Sequence, residues 1–234
     1  MNKELFIEEI NKLKIEVTED KLSKLDKYYD LLTLWNEKIN LTAITKKEDV
    51  YLKHFYDSLT LIKGYDLTKN IKVCDVGTGA GFPGIVLKIF FDNLDITLVD
   101  ALNKRINFLN LVIEELNLKN IKTVHARAED FAKMHIEEFD LVTSRAVAKL
   151  NILNELCIPM LKIGGYFIPM KANIDEELEI SKNSIAVLNS NLENIITFNL
   201  PVENSVRNLV KIKKQGKTNE KYPRNFDKIS KNPL

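Results

Sequence analysis

One glycine-rich segment constrains the fold of this chain more than any other feature. Residues 71–84 read I-K-V-C-D-V-G-T-G-A-G-F-P-G and hold four of the eight glycines in the protein. The first half is apolar and β-branched, which is typical of a buried strand. Glycines permit positive φ angles and close approach of a ligand, and Pro83 falls where the first turn of a helix tolerates proline. The sequence therefore predicts a strand, a ligand-binding loop and a helix in an α/β sheet.

The glycine spacing fits two cofactor templates. Gly79, Gly81 and Gly84, with an acidic residue about 20 positions further on, satisfy the dinucleotide pattern of a nicotinamide-dependent oxidoreductase. Gly77, Gly79 and Gly81, preceded by Asp75, satisfy the acid-x-Gly-x-Gly-x-Gly pattern of class I S-adenosylmethionine-dependent methyltransferases.

The charge of Asp75 favours the second template. A carboxylate at the end of the strand would lie near the pyrophosphate of a dinucleotide, and like charges in a partly dry cleft repel strongly. S-adenosylmethionine carries an ammonium and a sulfonium, which favour a nearby acid, and its carboxylate suits the start of a helix. The alternative is that Asp75 only caps the turn. With three glycines beside it, we favour a cofactor contact.

Composition indicates one α/β domain with a small appendage in 234 residues. No apolar run approaches 18 residues and no basic-then-apolar leader is present, so we expect a cytoplasmic protein without membrane contact. Cys74 and Cys157 form no metal or disulfide pattern and are expected in the core. No coiled-coil seam is evident, so a monomer is expected.

The end of the chain is basic. Residues 201–234 contain nine Lys or Arg against three Asp or Glu, a net charge of +6 in a chain whose total is +1. Such a tail suggests a polyanionic partner, and the alternative is a solvated, disordered terminus.

The first 68 residues predict a helical cap. They contain one glycine and no proline, and apolar residues recur at helical spacing from Leu22 to Trp35. Thr18 is an imperfect cap for this longer helix, which should end within residues 36–40. A third helical piece carries His54 and Asp57, for which we favour a hydrogen bond on the helix surface over a functional pairing.

From residue 71 onward strands alternate with helices, which indicates a doubly wound sheet. The predicted strands are residues 71–75, 95–100, 121–125, 139–143, a strand within 162–171, and a closing hairpin of 195–200 with 207–212. The predicted fold class is α/β, a class I methyltransferase with a Rossmann-like, seven-stranded, mostly parallel sheet. We expect a helical cap at 1–68, a methyltransferase domain at 69–213 and a basic tail at 214–234.

Ligands of such sheets lie across the carboxyl ends of the strands, so the residues that follow each strand are the site candidates. Asp100 is placed to accept the ribose hydroxyls, and Ala128 and Glu129 to read the adenine edge. Phe82 is expected either to pack on the cofactor or to lie in the core. Arg145 follows the fourth strand at the centre of the cleft, where we favour a substrate or cofactor contact.

The residues after the fourth strand read S-R-A-V, which narrows the methyl acceptor. An exocyclic-amine methylase would carry an Asn/Asp-Pro-Pro run there. Carbon-5 methylation of a pyrimidine needs a nucleophilic cysteine in the cleft. Catechol-type chemistry needs acids and histidines grouped to bind a metal ion. None of these is present in the sequence, and no metal is expected. An acceptor that is already nucleophilic remains, such as guanine N7, which requires alignment and electrostatics but no general base.

Seven blocks resemble the bacterial ribosomal RNA small subunit methyltransferase G family, in order along nearly the whole chain. They are W-N-E-K-I-N-L-T-A-I (35–44), H-F-Y-D-S-L (54–59), D-V-G-T-G-A-G-F-P-G (75–84), V-D-A-L-N-K-R-I-N-F-L (99–109), R-A-E (127–129), S-R-A-V (144–147) and Y-P-R (222–224). The resemblance implies S-adenosylmethionine-dependent methylation of guanine N7 in the 530 loop of 16S rRNA, with rRNA or the small ribosomal subunit as partner.

The resemblance also implies roles for individual residues. Cofactor contacts are implied at Gly77, Phe82, Asp100, Ala128, Glu129 and Arg145, and the loop pattern adds Asp75, Gly79 and Gly81. Contacts to RNA phosphate or the target base are expected at Lys104, Arg105, Lys171, Arg207 and Arg224. Arg145 and Lys171 are the expected catalytic residues.

Overall fold

A seven-stranded sheet forms the centre of the protein. The computed structural model describes all residues, 1–234. The strands are β1 (Lys72–Val76), β2 (Asp95–Asp100), β3 (Ile121–His125), β4 (Phe139–Arg145), β5 (Leu161–Lys171), β6 (Ser190–Asn199) and β7 (Val206–Lys214). Their order is β3-β2-β1-β4-β5-β7-β6, with parallel pairing from β3 to β5 and β7 antiparallel to both neighbours. The predicted seven-stranded sheet with a closing hairpin is confirmed.

The helices flank this sheet and build the cap. They are α1 (Lys3–Lys12), α2 (Glu19–Ile39), α3 (Lys47–Val50), α4 (Asp57–Leu59), α5 (Gly84–Phe90), α6 (Asn103–Glu115), α7 (Ala128–Met134), α8 (Leu150–Cys157), α9 (Asp175–Val187) and α10 (Phe226–Lys231). A π-helical segment, Tyr51–Tyr56, joins α3 to α4, and a 3-10 turn, Thr60–Lys63, follows. No helix is both long enough and apolar enough to cross a bilayer.

Local sequence explains the bounds of the longest helix. The Thr18 hydroxyl accepts a hydrogen bond from the Lys21 amide at 3.3 Å, and α2 ends at Asn40, whose φ of 49° is left-handed. Both ends agree with the sequence-based expectation.

The cap packs directly on the glycine loop. Tyr28 of α2 is fully buried, its hydroxyl donates to the Ala80 carbonyl, and its ring centre lies 5.5 Å from that of Phe82. Apolar side chains of the cap and of α5 belong to one continuous core. The cap therefore holds the loop from the side opposite to its opening.

Two details differ from the sequence-based expectation, and a third agrees with it. Pro83 is the N-cap of α5 rather than a residue of its first turn, because the Gly84 amide donates to the Asp75 carboxylate. The strand β6 begins at residue 190, five residues earlier than predicted, since it pairs along the whole of β7. The cysteines agree with expectation, because Cys74 and Cys157 are both fully buried.

The C-terminal segment packs on the sheet domain instead of forming a solvated end. Tyr222 and Ile229 are buried in the same core as α8. The Arg224 guanidinium forms two hydrogen bonds to the buried carboxylate of Glu155. The disordered-terminus alternative is wrong for this segment.

Candidate active site

Two clefts open along the carboxyl edge of the sheet. The first has a volume of about 330 Å³ and lies at the ends of β1 to β4. The second has a volume of about 500 Å³ and lies between the ends of β4 and β5, the start of β7 and the cap. Ala146, whose φ is 57°, lines both clefts. The two clefts therefore meet at the residue that follows Arg145.

Gly77 of the glycine loop lines the first cleft, whereas Gly79 and Gly81 do not, so cofactor contacts of these two stay a prediction. Gly77 has a φ of +68°, and a Cβ atom there would lie 2.5 Å from Cγ2 of Val147. Val147 belongs to the S-R-A-V segment, which therefore folds over the loop and restricts this position to glycine. Ser144 fixes the same segment from below, because its hydroxyl donates to the Val76 carbonyl at 2.9 Å.

Asp100 supplies a fixed carboxylate at the end of β2. One oxygen accepts from the Gly79 amide at 2.9 Å and from Arg105 Nη1 at 3.3 Å, and the other accepts from the Leu102 amide at 2.9 Å. Three of its roughly four acceptor sites are thus engaged, and the one that remains, on Oδ1, can accept from a ribose hydroxyl. Arg105, predicted to contact RNA, lines this cleft beside Asp100.

Asp75 lies beneath the loop and lines neither cleft. It is fully buried, and Oδ2 accepts from the Thr78 hydroxyl at 2.7 Å and from the Gly84 amide at 2.9 Å. Burial raises its pKa to about 6, and its Oδ1 atom has no protein partner. Asp75 therefore caps the turn of the glycine loop, as in the alternative considered from the sequence. A direct contact of Asp75 with the cofactor stays a prediction.

The other predicted cofactor residues fall into two groups. Ala128 and Glu129 begin α7 and line the first cleft, as expected for residues that read a base edge. Phe82 is 5% exposed and lines neither cleft. Its ring stacks on His54 at 4.4 Å between centres and lies 5.2 Å from the Arg145 guanidinium. Phe82 thus supports the second cleft from the core, and its cofactor contact stays a prediction.

A buried network forms the floor of the second cleft. Arg145 Nη1 donates to Asp57 Oδ2 at 3.0 Å and to the Lys53 carbonyl at 2.9 Å. The other oxygen of Asp57 accepts from Arg207 Nε at 3.1 Å. The predicted surface hydrogen bond between His54 and Asp57 is wrong, because the π-helical segment turns both side chains inward to Arg145.

His54 is a neutral member of this network. Burial, reinforced by the Arg145 charge, lowers its pKa to about 3. Its Nδ1 lies 3.2 Å from Arg145 Nη2, and its Nε2 lies 2.9 Å from the Thr42 hydroxyl. Nδ1 lies 3.2 Å both from Arg145 Nη2, a donor, and from the Lys53 carbonyl oxygen, an acceptor, so these contacts are compatible with either neutral tautomer.

The residues that line the second cleft carry a net positive charge. Its lining contains four cations, Lys53, Arg145, Lys171 and Arg207, and two acids, Asp57 and Glu177. Lys171 Nζ donates to Glu177 and to the Ala148 carbonyl, both at 2.7 Å. Glu177 also accepts from the Leu150 amide at 2.7 Å. Both acids are thus engaged, and the net charge suits a polyanion.

The two remaining candidates for RNA contact lie in different settings. Lys104 is exposed on the first turn of α6, at the carboxyl edge of the sheet. Arg224 instead pairs with Glu155, at 2.8 Å from Nε and 2.6 Å from Nη2. Arg224 is therefore an anchor of the C-terminal segment in this structure, and an RNA contact there stays a prediction.

Sequence reasoning missed several lining residues. Lys53 and Glu177 in the second cleft and Phe226 in the first were not singled out, and Arg127 of the R-A-E block was given no role. The H-x-x-D spacing of His54 and Asp57 was the available signal for the buried network. No sequence signal marks Phe226, because its position depends on the packing of the C-terminal segment.

S-adenosylmethionine fits the donor set of the first cleft. Asp100 offers a carboxylate for the ribose, Gly77 offers a close main-chain approach, and Ala128 and Glu129 stand in a mostly apolar lining suited to adenine. Solved structures share the fold. One is M. jannaschii TYW2 in complex with AdoMet, at a TM-score of 0.54 and 16% identity over 68% of this chain and 76% of that chain. Another is a SAM-dependent methyltransferase from Aquifex aeolicus, which has a TM-score of 0.54 and 16% sequence identity. That match covers 71% of this chain and 93% of that chain. Fold and site define a class I S-adenosylmethionine-dependent methyltransferase.

The chain belongs to the GidB family, rRNA small subunit methyltransferase G, whose model matches residues 21–217. It is 48% identical over 237 residues to the ribosomal RNA small subunit methyltransferase G of Bacillus cytotoxicus, covering 100% of this chain and 99% of that protein. It is also 48% identical to the protein of that name in Lysinibacillus sphaericus, covering 100% of both. The resemblance noted in the sequence is confirmed, and the nicotinamide-dependent oxidoreductase is wrong.

Proposed function

We propose that this chain methylates N7 of a guanine in the 530 loop of 16S rRNA, with S-adenosylmethionine as donor. The observation that carries this choice is the absence of a free general base in the second cleft. Its two acids are both paired with cations, and burial beside the Arg145 charge lowers the pKa of its one histidine, His54, to about 3. An acceptor that must lose a proton would find no partner there.

Guanine N7 needs no such partner. Its lone pair lies in the plane of the ring and attacks the methyl carbon as the methyl–sulfur bond breaks, so the base takes up the positive charge that leaves the sulfur and no proton is lost. S-adenosylmethionine, when bound, supplies a methyl group on a positively charged sulfur. The chain then has to align the base and to exclude water, and alignment alone provides large rate factors.

The second cleft is built to align a base on an anionic backbone. Arg145 is held at three points, by Asp57, the Lys53 carbonyl and His54, so its planar guanidinium has a fixed orientation. It is 14% exposed and lies one residue from Ala146, where the two clefts meet. We assign to Arg145 the positioning of the target guanine beside the methyl donor. Lys171, also at the edge of this cleft, contributes a second cation for a flanking phosphate.

The same positive charges predict RNA binding that depends on salt concentration. The cationic lining of the second cleft continues to Arg207 at the start of β7, and Lys104 lies at the same edge of the sheet. Neutralisation of phosphates by such residues releases counterions, so affinity should fall steeply with ionic strength.

The test is transfer of a labelled methyl group to rRNA from cells that lack this protein. Naked 16S rRNA and 30S subunits are supplied in parallel, and the modified position is mapped by strand cleavage at N7-methylguanine. We expect one labelled guanine in the 530 loop, loss of labelling in Arg145→Ala, and full labelling in Lys182→Ala, whose exposed side chain pairs with Glu179. Labelling of an exocyclic amine, or no labelling of either substrate, would overturn the proposal.

A further inference from the structure

The C-terminal segment reaches back to the mouth of the first cleft. Phe226, the first residue of α10, lines that cleft and also an adjoining cavity formed with Arg127, Glu129 and Asp130. Its side chain is 37% exposed, although phenylalanine is normally buried. An aromatic ring thus stands open to solvent beside the start of α7.

Firm contacts on both sides hold this ring in place. Two residues before it, Arg224 forms its paired hydrogen bonds to Glu155, whose side chain is fully buried. Three residues after it, Ile229 is fully buried against α8. Between them, Asn225 accepts a hydrogen bond from Lys133 of α7 at 2.7 Å. The exposure of Phe226 is therefore not that of a loose chain end.

The neighbours of Phe226 indicate what it would contact. Phe226 lines the first cleft together with the apolar Ala128, and the adjoining cavity places it beside Arg127 and Glu129 at the start of α7. Asp100 instead accepts a hydrogen bond from an amide of the glycine loop. A ligand whose sugar binds Asp100 and whose flat heterocycle lies on Ala128 would bring the heterocycle to Phe226. A ring with two π faces is stabilised there by an aromatic side chain, independently of hydrogen bonds.

We propose that Phe226 is a cofactor-binding residue that forms the outer wall of the adenine end of the first cleft. The Arg224–Glu155 pair fixes the C-terminal segment and so positions the Phe226 ring at the cleft. The inference rests on the proposed use of S-adenosylmethionine. It means that a residue of the C-terminal segment, outside the family match at residues 21–217, completes the cofactor site.

The test is calorimetric titration of the full-length protein with S-adenosylhomocysteine and, separately, with adenosine. Wild type is compared with Phe226→Ala, Phe226→Leu and Phe226→Trp. We expect Phe226→Ala to weaken both ligands about 5- to 20-fold, Phe226→Leu to recover part of the loss, and Phe226→Trp to bind as wild type. The KM for rRNA should not change. Met134→Ala, which removes another exposed side chain of the α7 region, is the matched control.

The unfolding temperature of each ligand-free variant separates binding from folding. Because the Phe226 side chain is partly exposed, Phe226→Ala should unfold within a few degrees of wild type. Unchanged affinity of Phe226→Ala for both ligands would overturn the inference while leaving the proposed function intact. Failure of wild type to bind S-adenosylhomocysteine would instead overturn the proposed function. Equal losses in the alanine and tryptophan variants would also contradict an aromatic wall.

Discussion

The buried carboxylate of Asp57 accepts a hydrogen bond from Arg145 at 3.0 Å, across 88 residues of chain. This pair joins the helical cap to the end of β4, and Arg207 extends it to the start of β7. Two guanidinium groups of like charge are held on one acid that is 4% exposed. The cap therefore forms part of the second cleft as well as a support for the glycine loop.

Removal of the Asp57 charge should disorder both arginines. In Asp57→Asn the amide can satisfy one guanidinium but no longer offsets two positive charges. We expect kcat/KM for rRNA to fall on the order of 10- to 100-fold and the unfolding free energy to fall by about 1–3 kcal/mol. Affinity for S-adenosylhomocysteine should stay as in wild type, since Asp57 does not line the first cleft. Asp66→Asn, at an exposed acid, is the control, and wild-type kinetics in Asp57→Asn would contradict this role.

The alternation of strands and helices was predictable because short apolar runs and glycine loops are local signals. The seven strands, the closing hairpin, the ends of α2 and the positions of Asp100, Ala128 and Glu129 followed from them, whereas the order of the strands in the sheet came from the structure. The inward direction of Asp75 did not, because it depends on where Thr78 and Gly84 present their donors once the loop is closed. The network around Arg145 likewise joins the cap, β4 and β7, and such long-range contacts leave no periodic pattern in the sequence.

The two glycines Gly77 and Gly79 offer a matched test of the loop. Their φ angles are similar, +68° and +61°, so alanine at either costs a comparable strain of about 1–2 kcal/mol. They differ in surroundings: a Cβ at Gly77 meets Val147 at 2.5 Å, whereas at Gly79 its nearest contact is 4.0 Å away. Gly77→Ala must displace the segment that follows Arg145.

We therefore expect Gly77→Ala and Gly79→Ala to differ in cofactor affinity but not in stability. Both should unfold at similar temperatures in differential scanning calorimetry. Gly77→Ala should weaken S-adenosylhomocysteine more than about 10-fold by calorimetric titration, which corresponds to 1.4 kcal/mol, and Gly79→Ala should weaken it less. Equal affinities in the two variants would show that Val147 does not shape the cleft.

His54 should make stability depend on pH in a defined direction. In the unfolded chain a histidine is protonated below about pH 6.5, whereas native His54 stays neutral until about pH 3. The unfolded state thus binds more protons between these values, and stability is lost as the pH falls through that window. The contribution amounts to about 2 kcal/mol between pH 7 and pH 5. Denaturant titrations at several pH values give the free energy of unfolding of wild type and of His54→Asn. Between pH 7 and pH 5 this free energy should fall more steeply in wild type. Parallel plots of unfolding free energy against pH would contradict a buried neutral histidine.

Lys104 should carry part of the salt dependence of RNA binding. It is exposed at the carboxyl edge of the sheet and forms no ion pair. If it contacts one phosphate, Lys104→Ala should reduce the slope of log affinity against log salt by about one, and weaken all RNA sequences alike. Lys119→Ala is the matched control, since Lys119 is also exposed but precedes β3 at the opposite edge of the sheet. Filter-binding titrations with a 16S rRNA fragment over a range of salt concentrations provide the measurement. An equal reduction of slope in both variants would mean that the field of the whole protein, rather than a contact at this edge, attracts the RNA.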